Sequence, residues 1–357
     1  MTGQVGVVGG AGVPHAPQFF TLPPTEDHDQ VARVEATMGR IGEGLRALEP
    51  DVVVIIANDH LENHMLHTVP SFTLHCGAEV SGSFAGRDFR WPIPSERAAA
   101  VLRALQEEGF DPAFSMNATI GYEFAIPLTF LGFDETTPVL PIYVNSYVPP
   151  QPSGERCYAF GRALHRSFER LGLRAVVIAS GGLSHYPGTE RYDDPDVDND
   201  RALMERIEAG NLRALLALDD AAMDRTGNVE ARSWLMLAGA LGERVPDTVG
   251  IEPSWHHVYA MAAWTGADQP EAEPLHYPMT DPRLLPIYEA LYALRMEGEA
   301  RTAWLDDAPA FAERWPLTGE ERRALTELDE PALRSLGVHP LLAFLARLQV
   351  DLARAQR

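Results

Sequence analysis

Three histidines follow directly after short apolar runs that have the length and composition of buried β-strands. Two of them, His15 and His185, are reached through glycine-rich segments, which we interpret as turns that let the backbone approach a neighbour closely. A single histidine after a strand is usually a solvated or capping residue, but three such cases favour a common site. The runs and their histidines are Val5–Val8 before His15, Val52–Ala57 before His60, and Ala175–Ala179 before His185.

Glu230 is the candidate carboxylate for the same site. It follows Asn228, a favourable helix N-cap, so we expect Glu230 in the first turn of a helix that runs to Leu241. Residues 234–241 are apolar on all sides, which indicates that this helix is buried. A glutamate at the start of a buried helix is expected to face a pocket.

Two histidines and one carboxylate around open coordination positions form the ligand set of non-haem Fe(II) oxygenases. A further histidine beside such a metal could move protons, because the pKa of histidine lies near neutrality. Zinc hydrolases use similar ligands, so the spacing of these residues leaves both the metal and the reaction open.

The elements that position these residues alternate between apolar runs and segments with helical periodicity. This alternation predicts an α/β fold with a central sheet covered by helices on both faces. Ligands of such sheets bind outside the carboxyl ends of the strands, where the three histidines are expected. The other predicted strands are Val139–Val144 and Val258–Trp264, and the predicted helices are Gln30–Leu48, Ser95–Glu108, Glu155–Leu171, Asn199–Leu218 and Glu230–Leu241.

A second, smaller domain is predicted at the C-terminal end. Residues 266–282 are acidic and proline-rich, which is typical of a linker between a domain of residues 1–265 and one of residues 283–357. The smaller domain is predicted to be all-α, with helices at Leu285–Met296 and Pro340–Ala355 and a capping box at Thr318–Glu321. A helical unit of this size is marginally stable alone, so we expect it to pack on the large domain or across a dimer.

Composition excludes some classes of partner. The 357-residue chain has a formal net charge of −22, which disfavours nucleic acid and anionic membrane surfaces as partners. It contains no apolar run of about 18 residues, so no membrane span is expected. Cys76 and Cys157 are the only cysteines, too few for a disulfide framework, which suggests a cytoplasmic protein.

Four motifs together resemble the class III extradiol ring-cleaving dioxygenases, the superfamily of the protocatechuate 4,5-dioxygenase catalytic subunit. The resemblance covers about residues 1–265. Residues 317–340 look like the small helical subunit of that family fused into the same chain, as in gallate dioxygenase. The motifs are Val13-Pro14-His15-Ala16-Pro17, Asn58-Asp59-His60, Gly181-Gly182-Leu183-Ser184-His185 and Gly227-Asn228-Val229-Glu230.

The resemblance implies roles for the residues singled out above. His15, His60 and Glu230 would bind Fe(II), and His185 would act as the acid–base residue beside the substrate. Asn58 and Asp59 are expected to orient the ring of His60. The implied reaction opens the ring of a small catecholic aromatic acid of the gallate or protocatechuate type with O2, in an enzyme that we expect to be a homodimer.

Tyr122 departs from the family pattern. The family commonly has Asp-His-Gly at the position of Gly121-Tyr122-Glu123, and that histidine lines the substrate site. Tyrosine can donate a hydrogen bond but is a poor base, so Tyr122 either fills the pocket wall or marks an atypical substrate, such as an aminophenol or a methylated gallate. Arg87, Arg90 and Arg232 are candidates for a substrate carboxylate by charge alone. A zinc-dependent hydrolase and a non-catalytic metal-binding relative remain alternatives.

Overall fold

The computed structural model describes residues 5–64, 66–117, 119–266 and 281–357. The chain divides into two compact units, Met1–Ala272 and Glu273–Arg357. Apart from residues 266, 281 and 282, the predicted linker lies outside the described residues.

A mixed eight-stranded sheet forms the centre of the larger unit, with the strand order β6-β3-β7-β2-β8-β1-β10-β9 in the described part of the chain. The four middle strands β7, β2, β8 and β1 are parallel, while β3 and β10 run antiparallel to their inner neighbours. A separate hairpin pairs β4 with β5. The strands are β1 Gly6–Val13, β2 Val52–Asn58, β3 Phe72–His75, β4 Glu79–Phe84, β5 Arg87–Pro92, β6 Ala113–Ser115, β7 Val139–Val144, β8 Arg174–Ser180, β9 Thr248–Pro253 and β10 Val258–Trp264.

Helices cover both faces of this sheet, which confirms the predicted α/β class. α2 and α4 pack on one face, while α5 and α8 pack together on the other. The helices of this unit are α1 Gln18–Thr21, α2 His28–Ala47, α3 Ser95–Glu107, α4 Tyr122–Phe130, α5 Gly154–Leu171, α6 Val197–Glu208, α7 Asp220–Thr226 and α8 Ala231–Leu241. The parallel strands β2 and β7 are buried along their whole length, because both faces of the sheet are covered.

The glycine-rich segment before His15 is a strand, so its interpretation as a turn is wrong. β1 runs through Gly9-Gly10-Ala11-Gly12 to Val13. A Cβ atom at Gly12 would lie 2.6 Å from ring carbons of Trp234, and one at Gly10 would lie 2.7 Å from Leu237. These glycines therefore let the buried helix α8 lie close against the sheet.

Two further predictions about elements need correction. The predicted helix Asn199–Leu218 is interrupted: α6 ends at Glu208, and a 3-10 helix follows at Leu212–Ala217. The strands β3, β4, β5, β6 and β9 were not predicted, because none of them is a continuous apolar run, and β4, β5, β6 and β9 are partly exposed.

The smaller unit is all-α over its described residues, as predicted. Its helices are α9 Leu285–Met296, α10 Gly298–Asp306, α11 Ala308–Ala312, α12 Gly319–Glu327, α13 Glu330–Ser335 and α14 Pro340–Ala355. The predicted capping box is present, because Thr318 and Glu321 exchange side-chain to backbone hydrogen bonds at the start of α12. Ile287, Leu291 and Trp304 belong to its own apolar core.

Candidate metal centre

The candidate site lies at the carboxyl ends of the four parallel strands. His15 follows β1, His60 follows β2 and His185 follows β8, as the sequence predicted. Tyr147 follows β7, and Glu230 lies immediately before α8. The strand ends therefore bring these five side chains together, although they are spread over more than 200 positions of the sequence.

His15, His60 and Glu230 form a group that could hold a metal ion. One ligand atom of each residue lies within 4.8 Å of the others. The Oε1 atom of Glu230 is 3.5 Å from Nε2 of His15 and 3.6 Å from Nε2 of His60. His15 and Glu230 are buried, while His60 is partly exposed, so one side of the group remains accessible.

Glu230, rather than Asn228, occupies the N-cap position of α8, so the expected N-cap was wrong by two residues and Glu230 lies just before the first turn. Its Oε2 atom accepts a hydrogen bond from the backbone N–H of Gly182 at 3.1 Å. This bond leaves Oε1 facing the histidines. The N-terminal end of α8 also favours a negative charge at this position.

The electrostatics of the group fit a cation. Burial by itself would raise the pKa of Glu230, but the neighbouring His15 and His185 hold the pKa of this carboxyl well below its usual range. Burial lowers the pKa of His60, but Glu123 and Glu230 outweigh it and raise this pKa to about 10. A buried carboxylate with imidazoles around it is a donor set that suits divalent transition-metal ions.

Ser180 determines which nitrogen of His15 faces Glu230. The Ser180 hydroxyl donates a hydrogen bond to the backbone carbonyl of Glu123 at 2.5 Å. The oxygen of this hydroxyl therefore accepts from Nδ1 of His15, which lies 2.9 Å away. With the proton on Nδ1, the lone pair on Nε2 is available for a metal.

One of the two residues expected to orient His60 contacts its ring. Asn58 does contact the ring, since its amide nitrogen lies 2.9 Å from Nε2. Asp59 instead accepts hydrogen bonds from the backbone N–H groups of Asn63 and His64, and so shapes the loop after β2. Tyr122 stacks on the His60 ring, with centroids 4.9 Å apart and planes at 15°.

Tyr122 therefore lines the site from the His60 side, as the motif suggested. Its ring also lies 5.9 Å from that of His15, and it packs against Phe84 of the β4–β5 hairpin. Burial and the nearby carboxylates, led by Glu230, raise the pKa of Tyr122. The hydroxyl thus remains protonated at neutral pH and can donate a hydrogen bond.

His185 is a third histidine whose Nε2 approaches Oε1 of Glu230. Its Nδ1 is 2.9 Å from the carbonyl of Leu183, and its Nε2 is 3.5 Å from Oε1 of Glu230. His257 stacks on the His185 ring at 4.1 Å, with the planes at 11°. Burial lowers the pKa of His185, but Glu230 outweighs this and leaves the pKa raised.

Two residues at the site were missed by the sequence analysis. The hydroxyl of Tyr147 lies 3.0 Å from Nε2 of His185 and donates a hydrogen bond of 3.0 Å to Oε1 of Glu230. Tyr147 follows β7, so the rule that found the three histidines could also have found it. His257 had no role assigned, and no sequence signal distinguishes it from its neighbour His256.

Asp200 connects the two loops that carry His185 and Glu230. It is fully buried in α6. It accepts hydrogen bonds from the backbone and hydroxyl of Ser184, and another from the side chain of Asn228 at 3.0 Å. Burial raises the pKa of Asp200 to about 6.

The three candidate arginines all have other partners. Arg232 is buried and binds Asp220 and the backbone carbonyls of Pro152 and Val229. Arg90 pairs with Glu79, and Arg87 lies over the ring of Phe20. None of these contacts places an arginine at the site.

Residues 9–265 match the family model of the catalytic LigB subunit of aromatic ring-opening dioxygenases. The chain belongs to this family, which lies within the extradiol dioxygenases, so the resemblance seen in the sequence is confirmed. The match ends before the smaller unit, and the likeness of that unit to a fused small subunit stays a prediction.

Two curated relatives carry the same printed name, 2,3-dihydroxyphenylpropionate/2,3-dihydroxicinnamic acid 1,2-dioxygenase. The protein of Klebsiella pneumoniae (strain 342) is 38% identical over 144 residues, which are 40% of this chain and 46% of the relative. The protein of Escherichia coli (strain K12 / DH10B) is 33% identical over 175 residues, which are 48% of this chain and 55% of the relative. The chain thus matches about half the length of these relatives.

A crystal structure of an uncharacterized Escherichia coli K12 protein aligns with 72% of this chain and 99% of its own, at 14% identity and a TM-score of 0.46. This similarity is too weak to support a conclusion about the present chain. Among the described residues, no helix is both long enough and apolar enough to cross a membrane.

Proposed function

We propose that this protein is an Fe(II)-dependent extradiol dioxygenase that opens the ring of a small catecholic aromatic acid with O2. The observation that carries the proposal is the arrangement around Oε1 of Glu230. Nε2 of His15, His60 and His185 lies 3.5 to 3.6 Å from this atom, and Tyr147 donates a hydrogen bond to it. The proposed metal ligands and the proposed proton-handling residues thus share one carboxylate oxygen.

His15, His60 and Glu230 would hold the metal. Two imidazole nitrogens and one carboxylate on one face suit iron(II) and leave other coordination positions open. Bound there, iron(II) would supply the positions at which a catecholate and O2 come together. The residues themselves hold the ligand atoms in place, through Ser180 behind His15 and Gly182 behind Glu230.

His185 would take up and return the proton of a substrate hydroxyl. Because Nδ1 faces the carbonyl of Leu183, it carries a proton, and Nε2 is the nitrogen able to accept another. Tyr147 lies between this nitrogen and Glu230 and holds both in place. The raised pKa values of His185 and Tyr147 keep the tyrosine neutral while the histidine exchanges protons.

The aromatic acid is proposed to be of the gallate or protocatechuate type, or to carry a longer acid side chain. The names of the two relatives favour the second possibility, because 2,3-dihydroxyphenylpropionate carries its carboxylate on a short chain. Tyr122 beside His60 supports a pocket that differs from one lined by histidine, which keeps methylated gallates and aminophenols as alternatives.

Oxygen consumption by protein reconstituted anaerobically with Fe(II) tests the proposal. The panel contains 2,3-dihydroxyphenylpropionate, gallate, protocatechuate, 3-O-methylgallate, catechol and 2-aminophenol. Uptake with a panel member that also gives a ring-opened product supports the function and identifies the substrate class. Zinc-loaded protein that hydrolyses an ester panel, with no uptake in the iron form, would instead favour the hydrolase alternative.

The oligomeric state stays a prediction. In the smaller unit, exposed apolar side chains repeat along α14, at Leu341, Phe344, Leu348 and Leu352. This stripe supports the expected homodimer, since monomeric proteins seldom expose a continuous apolar face. Sedimentation of the wild-type chain and of Phe344→Glu would measure how much this stripe contributes to dimer formation.

A further inference from the structure

We propose that Glu123 is a positioning residue for His60, which it orients as a metal ligand from behind the ring. This inference rests on the metal site of the proposed function. Glu123 lies in the first turn of α4, directly after Tyr122, and its side chain is fully buried. It belongs to neither the predicted ligands nor the predicted acid–base residues.

Two buried polar atoms without partners face each other here. Oε2 of Glu123 and Nδ1 of His60 both lack a hydrogen-bond partner within the described residues, and they are 3.8 Å apart. Burying either atom unpaired costs free energy, so a fold that retains both usually lets them satisfy each other. Small side-chain rotations would bring the two atoms to a hydrogen-bond distance.

The other carboxylate oxygen of Glu123 already accepts a hydrogen bond. Oε1 accepts a hydrogen bond from the backbone N–H of Gly121 at 3.1 Å, which anchors the carboxylate at the start of α4. Gly121 lies so close that a side chain there would collide with Oε2 of Glu123, and its Cβ would lie 2.6 Å from Oε2 of Glu62. The free oxygen is thereby directed towards His60.

A carboxylate in this position determines the tautomer of His60. It can only accept, so it places the proton on Nδ1 and leaves a lone pair on Nε2. Nε2 is the atom that lies 3.6 Å from Glu230, on the metal side of the ring. A carboxylate behind a histidine ligand also strengthens the imidazole as a donor, and removing such a partner typically costs about 10- to 100-fold in metal affinity.

Glu123→Gln tests this role with little change of shape. The glutamine carbonyl can still accept from Gly121, which turns the NH2 group towards Nδ1 of His60. A donor in that place favours the tautomer with the proton on Nε2, and a protonated Nε2 cannot bind the metal. Glu62→Gln is the matched control, because Glu62 also lies beside Gly121 but has no described contact with a ring nitrogen of His60.

The measurement is the affinity of the metal-free full-length protein for Co(II), with the visible absorption of bound Co(II) as a second readout. We expect Glu123→Gln to bind Co(II) about 10- to 100-fold more weakly and with a shifted spectrum. Glu62→Gln is expected to stay within about twofold of wild type, and Glu123→Asp to recover part of the loss, because an acceptor is retained. Thermal unfolding of each metal-free variant shows that the chain is folded.

Equal affinity and an unchanged spectrum in Glu123→Gln would overturn the inference, as would an equal loss in Glu62→Gln. Should Glu123→Gln fail to fold, Glu123→Asp is compared with wild type directly: weaker Co(II) binding with a shifted spectrum supports the inference, and wild-type affinity and spectrum overturn it. The proposed function fails separately, because wild-type protein that binds neither Co(II) nor Fe(II) would remove the metal site itself.

Discussion

The hydroxyl of Tyr147 lies 3.0 Å from Nε2 of His185, the one nitrogen of that ring not directed at a backbone carbonyl. The same hydroxyl donates to Oε1 of Glu230. The proposed acid–base residue and the proposed metal ligand are therefore joined through one phenol.

Replacing Tyr147 with phenylalanine removes this connection and leaves the ring in place. We expect Tyr147→Phe to keep its iron but to lower kcat by about 100-fold, because His185 loses the group that aligns Nε2 for proton transfer. Steady-state oxygen uptake, with iron content measured in parallel, checks this. Tyr158→Phe on α5 is the control, and equal losses in the two variants would contradict the role of Tyr147.

Substitution of Tyr122 tests whether this residue of the pocket wall determines which substrate is preferred. Tyr122→His restores the residue that the family commonly has, so we expect the ratio of kcat/KM values between protocatechuate and the preferred substrate to rise. Tyr122→Phe keeps the stack on His60 but loses the hydroxyl, and it separates packing from hydrogen bonding. An unchanged substrate profile in Tyr122→His would show that the tyrosine only fills the wall.

Asp200 is expected to contribute stability through the two loops that it joins. Asp200→Asn would leave one donor of Ser184 or Asn228 unsatisfied in a buried position, which costs about 2 kcal/mol in the free energy of unfolding. Denaturant unfolding of the metal-free wild type and variant measures this change in the free energy of unfolding. Asp198→Asn, an exposed charge in the same first turn of α6, should change little. A comparable effect at both positions would argue against the loop connection.

His75, which is not one of the proposed metal ligands, predicts a pH dependence of the free energy of unfolding. It is buried against Tyr143, and burial lowers its pKa from 6.5 to about 4. Between these values the unfolded chain binds a proton that the folded chain does not. The folded state is therefore destabilised as the pH falls from 6.5 to 4, and this group lowers the free energy of unfolding by about 3 kcal/mol.

His75→Leu should flatten that part of the stability curve. The free energy of unfolding, measured between pH 7 and pH 4, is expected to fall less in the variant than in wild type by about the same 3 kcal/mol. His67→Gln, at an exposed position, should follow the wild-type curve. Parallel curves for wild type and His75→Leu would contradict the prediction.

Most of the central strands could be predicted from the local sequence pattern, because the buried parallel strands are continuous apolar runs. Val139–Val144 and Val258–Trp264 have the bounds predicted for them. The errors arose where tertiary packing overrides local preference. The segment Gly9-Gly10-Ala11-Gly12 resembles a turn in the sequence, yet it continues β1, where Leu237 and Trp234 of α8 pack against Gly10 and Gly12.

The residues predicted for the site come together in space, but the sequence did not show what holds them. Strand ends converge at one edge, so three histidines in that position could be collected without a structure. Glu123 and Asp200 gave no such signal, since each acts across a contact between segments far apart in the chain. Tyr147 occupies the right position but was overlooked, because tyrosine was not among the ligands sought.

Iron bound per chain is the most direct test of the central claim, that His15, His60 and Glu230 hold the metal while His185 does not. Wild type and His185→Ala should each bind about one Fe(II), whereas His60→Ala and Glu230→Ala should bind almost none. Iron retained by His60→Ala, or lost from His185→Ala, would contradict the assignment of ligands and acid–base residue.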